Sequence, residues 1–370
     1  MGVNKDSKMI IEKNEMLQMA VKICRGYLHG PWKKITTNDV VMKRVSGGLS
    51  NWLYHVKLVS ENAEPSQVLL RIYGQTHGER AFESIITESV IFTLLSERKL
   101  GPKLHGIFPG GRLEEYIPAR PLKTKELQDK KLSLLIADKM ALVHQMNIPI
   151  SKEPRWLWDT MNRWIQSIDD LNLYIYVGNQ MKRKLMAQDF RIEAEWLKSH
   201  LQKLQSPVVF CHNDFQEGNI LMREENNNNE SEPSLVIIDF EYCAYNYRGF
   251  DLANHFIEWT YDYSYPQPPY FSVHRDYYAS HEQQLAFAER YLNSLGNSKT
   301  DPEVVVNEIR HFSLASHLFW GAWSLVQAKT SKIKFGYLEY AYERLNCYFN
   351  LKSELLLEAN AKKKLRINND

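Results

Sequence analysis

The sequence predicts an α+β fold in two lobes, a β-rich lobe over residues 1–118 and a larger helical lobe over residues 119–370. Three observations carry this. Five short runs rich in β-branched and aromatic residues crowd ahead of residue 118 around one long helical pattern. After Pro118 the apolar spacing becomes mainly helical. Two short apolar runs interrupt that second part, and the residues beside them carry chemistry.

Taken in order, residues 9–29 read as an amphipathic helix, with Ile10, Leu17, Val21 and Leu28 recurring at helical spacing. Val40–Val45, Trp52–Val59 and Val68–Tyr73 read as strands, the first two joined by a Gly-rich turn. Glu79–Lys99 reads as a helix stopped by Gly101-Pro102. Leu104–Phe108 and Arg112–Ile117 form a hairpin turned at Pro109-Gly110-Gly111. In the second lobe, helices are expected at Lys125–Met146, Arg191–Gln205, Pro302–Lys329 and Phe335–Glu358, with strands at Val208–Cys211 and Leu235–Asp239. The Asn-rich stretch Glu224–Ser234 is expected to be a hairpin tip, and Lys362-Lys363-Lys364-Leu365-Arg366 a solvated helix end.

Composition narrows the function. A net charge of +2 over 370 residues argues against a nucleic-acid footprint. No apolar run reaches the length of a membrane span, so no integral membrane contact is expected. The N-terminus lacks a signal-peptide core, and Asp6 sits where myristoylation needs Ser or Thr. Cys24, Cys211, Cys243 and Cys347 do not pair at metal spacing, which suits reduced thiols in the cytoplasm.

The most informative stretch is Val209-Phe210-Cys211-His212-Asn213-Asp214-Phe215-Gln216-Glu217-Gly218-Asn219, followed by Ile237-Ile238-Asp239-Phe240-Glu241. Phosphoryl transfer from a nucleotide needs one carboxylate on the attacking hydroxyl, and oxygen donors for the Mg²⁺ on the phosphates. Asp214 is the candidate catalytic acid–base, with Asn219 and Asp239 as candidate metal ligands. Taken alone, Asp214 would read as a turn aspartate; the matched spacings make that improbable. The spacing is that of a protein-kinase catalytic loop and its metal-binding aspartate. The wording differs: Asn213 stands where a kinase has Arg, and Glu241 where it has Gly. His212 reads as scaffold.

His212 to Asn219, Asp239-Phe240-Glu241 and Tyr245-Asn246-Tyr247-Arg248-Gly249-Phe250-Asp251 together resemble the choline/ethanolamine kinase family, with the choline kinase branch the closer match. The likeness runs from about Val40 to Phe349. It implies a bilobal protein-kinase-like fold, ATP and Mg²⁺ as cofactors, choline as substrate with ethanolamine weaker, and a homodimer. It also implies a first step towards phosphatidylcholine by the cytidine-diphosphate route.

On the nucleotide side, Ser46-Gly47-Gly48-Leu49-Ser50-Asn51 lies between two expected strands, where paired glycines let backbone N–H groups approach phosphate. An ordinary hairpin turn is the bland alternative. Arg71 ends a strand-like run where kinases place Lys, and a guanidinium can serve the same phosphates. Its partner acid is expected on the following helix, Glu88 before Glu83. Glu114-Glu115-Tyr116-Ile117 is the expected hinge, where adenine bonds main chain near Glu115 and Ile117 and side-chain identity carries no information. The resemblance gives Gln216 a place at the phosphates or substrate. Glu217 is expected only to bond nearby backbone.

On the substrate side, aromatic residues crowd after residue 240. Trp320, Trp323 and Gln327 share one helix face, as do Tyr337 and Tyr340 on the next. Aromatic stripes are usually core. The resemblance raises Tyr263, Trp323 and Tyr340, with Tyr242, Glu258, Trp320 and Tyr337, to a cage for quaternary ammonium. Glu258 would add Coulomb attraction. Asp251 is expected to cap or anchor a helix, and Arg248 to pair with an acid. Two rivals stay open: a kinase for ethanolamine or an aminoglycoside, and a catalytically dead binding module. The aromatic crowding argues against a polycationic aminoglycoside. The intact Arg71, Asp214, Asn219 and Asp239 argue against a dead fold.

Overall fold

A computed structural model of the protein describes residues 5–45, 51–60, 63–73, 79–170, 188–223, 233–297 and 299–367. It divides into two compact units. The first comprises residues 1–120 with 222–240, and the second residues 121–221 with 241–370. The sequence reading places residues 222–240 in the second lobe. The described ones among them, 222–223 and 233–240, group with the first unit, where the Phe240 ring stacks edge-on against Phe92 and covers Gly101.

The first unit is built on an antiparallel five-stranded sheet in the order β1-β2-β3-β5-β4. Its strands are β1 (Val40–Val45), β2 (Asn51–Leu58), β3 (Gln67–Tyr73), β4 (Leu104–Phe108) and β5 (Gly111–Glu115). All five match expected strands to within two residues. Alternation sends Val56, Val68, Leu70 and Leu113 to one face, where all are fully buried. Each contributes roughly 1.5–3 kcal/mol of transfer free energy. Helix α1 (Lys5–Tyr27) closes that face with Ala20, Val21 and Cys24, and Leu28 just after it joins the same core. The turn between β4 and β5 needs Gly110 at φ +90°, a conformation that side chains resist. Helix α2 (Glu79–Glu97) lies between β3 and β4 in the chain and buries Ile91, Phe92 and Leu95.

The second unit is helical. Its helices are α3 (Lys130–His144), α4 (Trp156–Asp170), α5 (Phe190–Gln202), α6 (Arg248–Glu258), α7 (His281–Ser294), α8 (Pro302–Thr330) and α9 (Tyr337–Ile367). Capping starts several of them: Asp129 accepts from Leu132 N–H, Ser280 and Gln283 form a capping box, and Asp301 precedes Pro302. α8 is the central helix, with Leu314, Ala315, Leu318, Phe319 and Ala322 fully buried. Strands β6 (Val208–Cys211) and β7 (Ala244–Tyr247) pair antiparallel and bracket the candidate catalytic stretch in sequence.

α6 is a helix that the sequence reading did not assign. Every residue in it is buried, including Arg248, Asp251, Asn254, His255 and Glu258. Its polar residues are buried along with its apolar ones. Its charges are satisfied locally: Arg248 pairs with the buried Glu308 of α8. The C-terminal basic run continues α9, and Lys362 to Leu365 are exposed.

Candidate active site

Within the first unit, Arg71 of β3 and Arg112 of β5 are directly opposed across the sheet. Two like charges so placed repel. Glu114, two residues along β5 and so on the same face as Arg112, resolves the conflict. One oxygen, Glu114 Oε1, accepts from Arg71 Nε at 2.8 Å and from Arg112 Nε at 2.7 Å. All three residues are buried. Burial would raise the Glu114 carboxyl, but the two guanidinium groups outweigh it and hold it below the usual range.

This corrects two expectations. Among the described residues Arg71 pairs with Glu114, and Glu88 pairs with Arg112 at 2.6 Å rather than with Arg71. The hinge side chain Glu114 is therefore the clamp of the group. The Glu83 side chain lies outside the described residues, as do Ser46, Gly47, Gly48, Leu49 and Ser50. Asn51 opens β2. Arg71 Nη1 stands 3.8 Å from Asp239 Oδ1. Asp239 adopts the left-handed region at φ +65°, unusual away from glycine, and its side chain is about a third exposed. Glu115 accepts from Lys103 N–H at 3.0 Å, and Ile117 is buried.

Within the second unit, the catalytic stretch is a turn held from below. Asn213 takes φ +69°, which Asn tolerates better than most side chains. Its Nδ2 donates to the Tyr242 carbonyl, and its Oδ1 accepts from Asn246 Nδ2. Asp251 does more than cap α6. Its two carboxylate oxygens accept the backbone N–H groups of His212 and Asn213, both at 2.8 Å. His144 Nε2 lies 3.0 Å from the same carboxylate. Burial alone would raise the Asp251 carboxyl; the His144 and backbone contacts keep it low. His255 donates from Nδ1 to the Phe215 carbonyl at 2.9 Å and accepts from Trp259 Nε1. His212 is buried, and its Nδ1 accepts from Asp214 N–H.

The loop's outer residues follow. Asn219 Nδ2 donates to Asp214 Oδ2 at 2.8 Å and to the Asp214 carbonyl at 2.9 Å. Gln216 caps the turn through Gly218 N–H. Glu217 is buried; Oε1 accepts from Thr124 Oγ1 while Oε2 has no partner. Burial, with the neighbouring Glu258 charge, pushes its carboxyl well up.

Also in the second unit, the expected substrate residues join into one aromatic chain. Tyr242 meets Trp320 edge-on at 5.4 Å, Trp320 meets Trp323 at 5.6 Å, and Trp323 meets Tyr337 at 5.8 Å. Phe335 continues the chain from Tyr337 to Tyr340 and Tyr263. Trp320 is buried and donates to Asn254 Oδ1; Trp323 is half-buried. Tyr263 hydroxyl donates to Glu258 Oε2 at 2.7 Å and meets the Tyr340 hydroxyl at 2.9 Å. The fully buried Arg344 binds Glu258 and the Tyr340 hydroxyl. Glu258 is thus already half of a buried ion pair, so its attraction for a bound cation is smaller than its charge suggests. Sequence reading missed Arg344 and Phe335 as site residues and gave Glu114 only a hinge role. Only the helical spacing of Tyr337, Tyr340 and Arg344 could have pointed to Arg344.

A sheet-based cation cluster in one unit and an Asp–Asn catalytic loop in the other define a protein-kinase-like phosphotransferase. The comparisons name the family. The choline/ethanolamine kinase profile matches residues 42–349. A choline/ethanolamine kinase of Rattus norvegicus is 45% identical over 348 residues, spanning 91% of this chain and 86% of that protein. Choline kinase alpha of Mus musculus is 43% identical over 362 residues, spanning 90% and 80%. Among solved structures, a choline kinase of Cryptosporidium parvum aligns with a TM-score of 0.75 at 27% identity, covering 92% of this chain and 96% of that one. The chain belongs to the choline/ethanolamine kinase family.

Proposed function

We propose that this protein transfers the γ-phosphoryl group of ATP to the hydroxyl of choline, giving phosphocholine and ADP, with ethanolamine as the weaker substrate. The observation that carries this is the aromatic chain from Tyr242 to Tyr340, joined to a catalytic loop of kinase spacing. Choline's trimethylammonium donates no hydrogen bond, so aromatic faces and apolar contact must recognise it.

Asp214 orients the choline hydroxyl and accepts its proton as the new O–P bond forms and the β,γ-bridging bond breaks. Asn219 fixes the Asp214 carboxylate through Nδ2. Arg71 places a buried, always-charged guanidinium on the phosphates. The residues fit a hard cation: the amide oxygen of Asn219 and the carboxylate of Asp239 are the oxygen donors Mg²⁺ takes. When bound, Mg²⁺ neutralises charge on the phosphate oxygens. Gln216 and the main chain around Glu115 and Ile117 complete the nucleotide contacts in this reading, with the Ser46 to Asn51 sequence.

The wider reading is a homodimer in the cytoplasm feeding phosphatidylcholine synthesis. Family membership supports the pathway and the dimer. Cys24, Cys211, Cys243 and Cys347 form no disulfide among the described residues, which supports a reducing compartment. No helix among the described residues is long and apolar enough to cross a membrane.

The test is product identity. Incubation with ATP, Mg²⁺ and choline, followed by ³¹P NMR, is expected to show phosphocholine and ADP in equal amounts. ADP with inorganic phosphate alone would contradict the assignment.

A further inference from the structure

Among the described residues, the acid of α2 nearest this cluster, Glu88, pairs with Arg112 and not with Arg71. Glu88 of α2 touches Arg112, Arg112 touches Glu114, and Glu114 touches Arg71. We infer that this is a charge relay in which Glu88 and Arg112 are positioning residues, setting how firmly Glu114 holds Arg71 on the nucleotide phosphates. The inference rests on the reading of Arg71 as a phosphate ligand.

Four observations carry the relay. Arg71 and Arg112 are register partners, so their charges compete at one place. They compete for one atom, since both Nε groups donate to Glu114 Oε1. Their second acids are unequal. Arg112 has Glu88 at 2.6 Å, whereas Arg71 has Asp239 at 3.8 Å. Finally, Arg112 is immobilised: its guanidinium lies 4.1 Å from the centre of the Phe92 ring of α2, and Nη1 donates to the Tyr73 hydroxyl at 3.2 Å. A guanidinium that loses its own acid must draw harder on the shared one. Neutralising Glu88 therefore pulls Glu114 towards Arg112 and loosens Arg71, though Glu88 never touches Arg71. The buried setting makes such competition strong, because little water screens it.

The experiment is a double-mutant cycle on the full chain, read by calorimetric titration of ADP with Mg²⁺, with melting temperatures measured on the same preparations. The Glu88 side chain is partly exposed, so Glu88→Gln is expected to fold. Glu88→Gln is expected to weaken ADP binding about three- to tenfold while the KM for choline stays within about twofold. Arg71→Met is expected to weaken it further, and the double variant is expected to bind no more weakly than Arg71→Met alone. Equal losses from Glu88→Gln with and without Arg71 would overturn the relay, as would a lowered melting temperature with unchanged ADP affinity. If Arg71→Met itself leaves ADP affinity unchanged, the reading of Arg71 falls and the relay with it.

Discussion

Asn219 grips Asp214 at two points, the carboxylate at 2.8 Å and the backbone carbonyl at 2.9 Å. A carboxylate so held has lost rotamer freedom before substrate arrives, which is what a positioned proton acceptor needs. Asp214→Asn should reduce kcat by about 10²–10⁴ while leaving nucleotide affinity largely intact. Retention of more than about a tenth of the wild-type kcat would remove Asp214 from that role.

In the proposed reading Asn219 has two tasks, and they separate experimentally. There, Asn219→Ala removes both the donor to Asp214 and a proposed oxygen donor for Mg²⁺. Asp239→Ala removes a proposed oxygen donor and the carboxylate 3.8 Å from Arg71, but leaves the Asp214 contact in place. Both variants should require more Mg²⁺ at saturating ATP, and Asn219→Ala should retain the lower rate once Mg²⁺ saturates. Mg²⁺ dependence unchanged in both would leave the metal assignment without support.

Asp251 is the buried support of the catalytic turn. Asp251→Ala strands the N–H groups of His212 and Asn213 and leaves His144 without its carboxylate. Breaking such a network costs about 3–5 kcal/mol. The variant should unfold at markedly lower urea, and what remains folded should turn over slowly. A stability within about 1 kcal/mol of wild type would show that the contacts carry little.

A pH dependence follows from His255. Burial lowers its imidazole to about 4, and both ring nitrogens are occupied, by Phe215 and Trp259. The unfolded chain takes up the proton near pH 6.5, but the folded chain does not until about 4. Between those values the unfolded state binds more protons. Stability therefore rises with pH across that window and falls as pH drops through it, by roughly 1.4 kcal/mol per unit at most for this group. Urea midpoints between pH 6.5 and 4.5 check this. His255→Gln should flatten the slope, and an unchanged slope would assign the effect elsewhere.

Much of this was legible in the sequence. The strands of the first sheet are marked by their β-branched and aromatic residues and by the turns between them, and Asp214, Asn219 and Asp239 stand out by spacing. The partners of the charged residues did not. Glu114 lies 43 positions from Arg71, and Arg344 lies 86 from Glu258. Such pairs are fixed by tertiary packing, and local periodicity carries no trace of them. Glu88 was expected to reach Arg71 because it has the right spacing in a helix after β3. Arg112 takes that acid, and no pattern in the strand foretells a second buried arginine.

The account's central claim is that the aromatic chain recognises choline's trimethylammonium, and Trp323 is its most accessible test. Trp323 is half-buried, bracketed edge-on by Trp320 and Tyr337. The direct measurement is kcat/KM for choline and for ethanolamine in wild type and Trp323→Ala, with melting temperature on the same preparations. Ethanolamine's ammonium can bond to acids or water instead, so it should suffer less. The account predicts a loss of about five- to thirtyfold on choline, a smaller loss on ethanolamine and a modest fall in melting temperature. Equal losses on both alcohols, with the large destabilisation of about 3–5 kcal/mol that a core Trp→Ala brings, would contradict it.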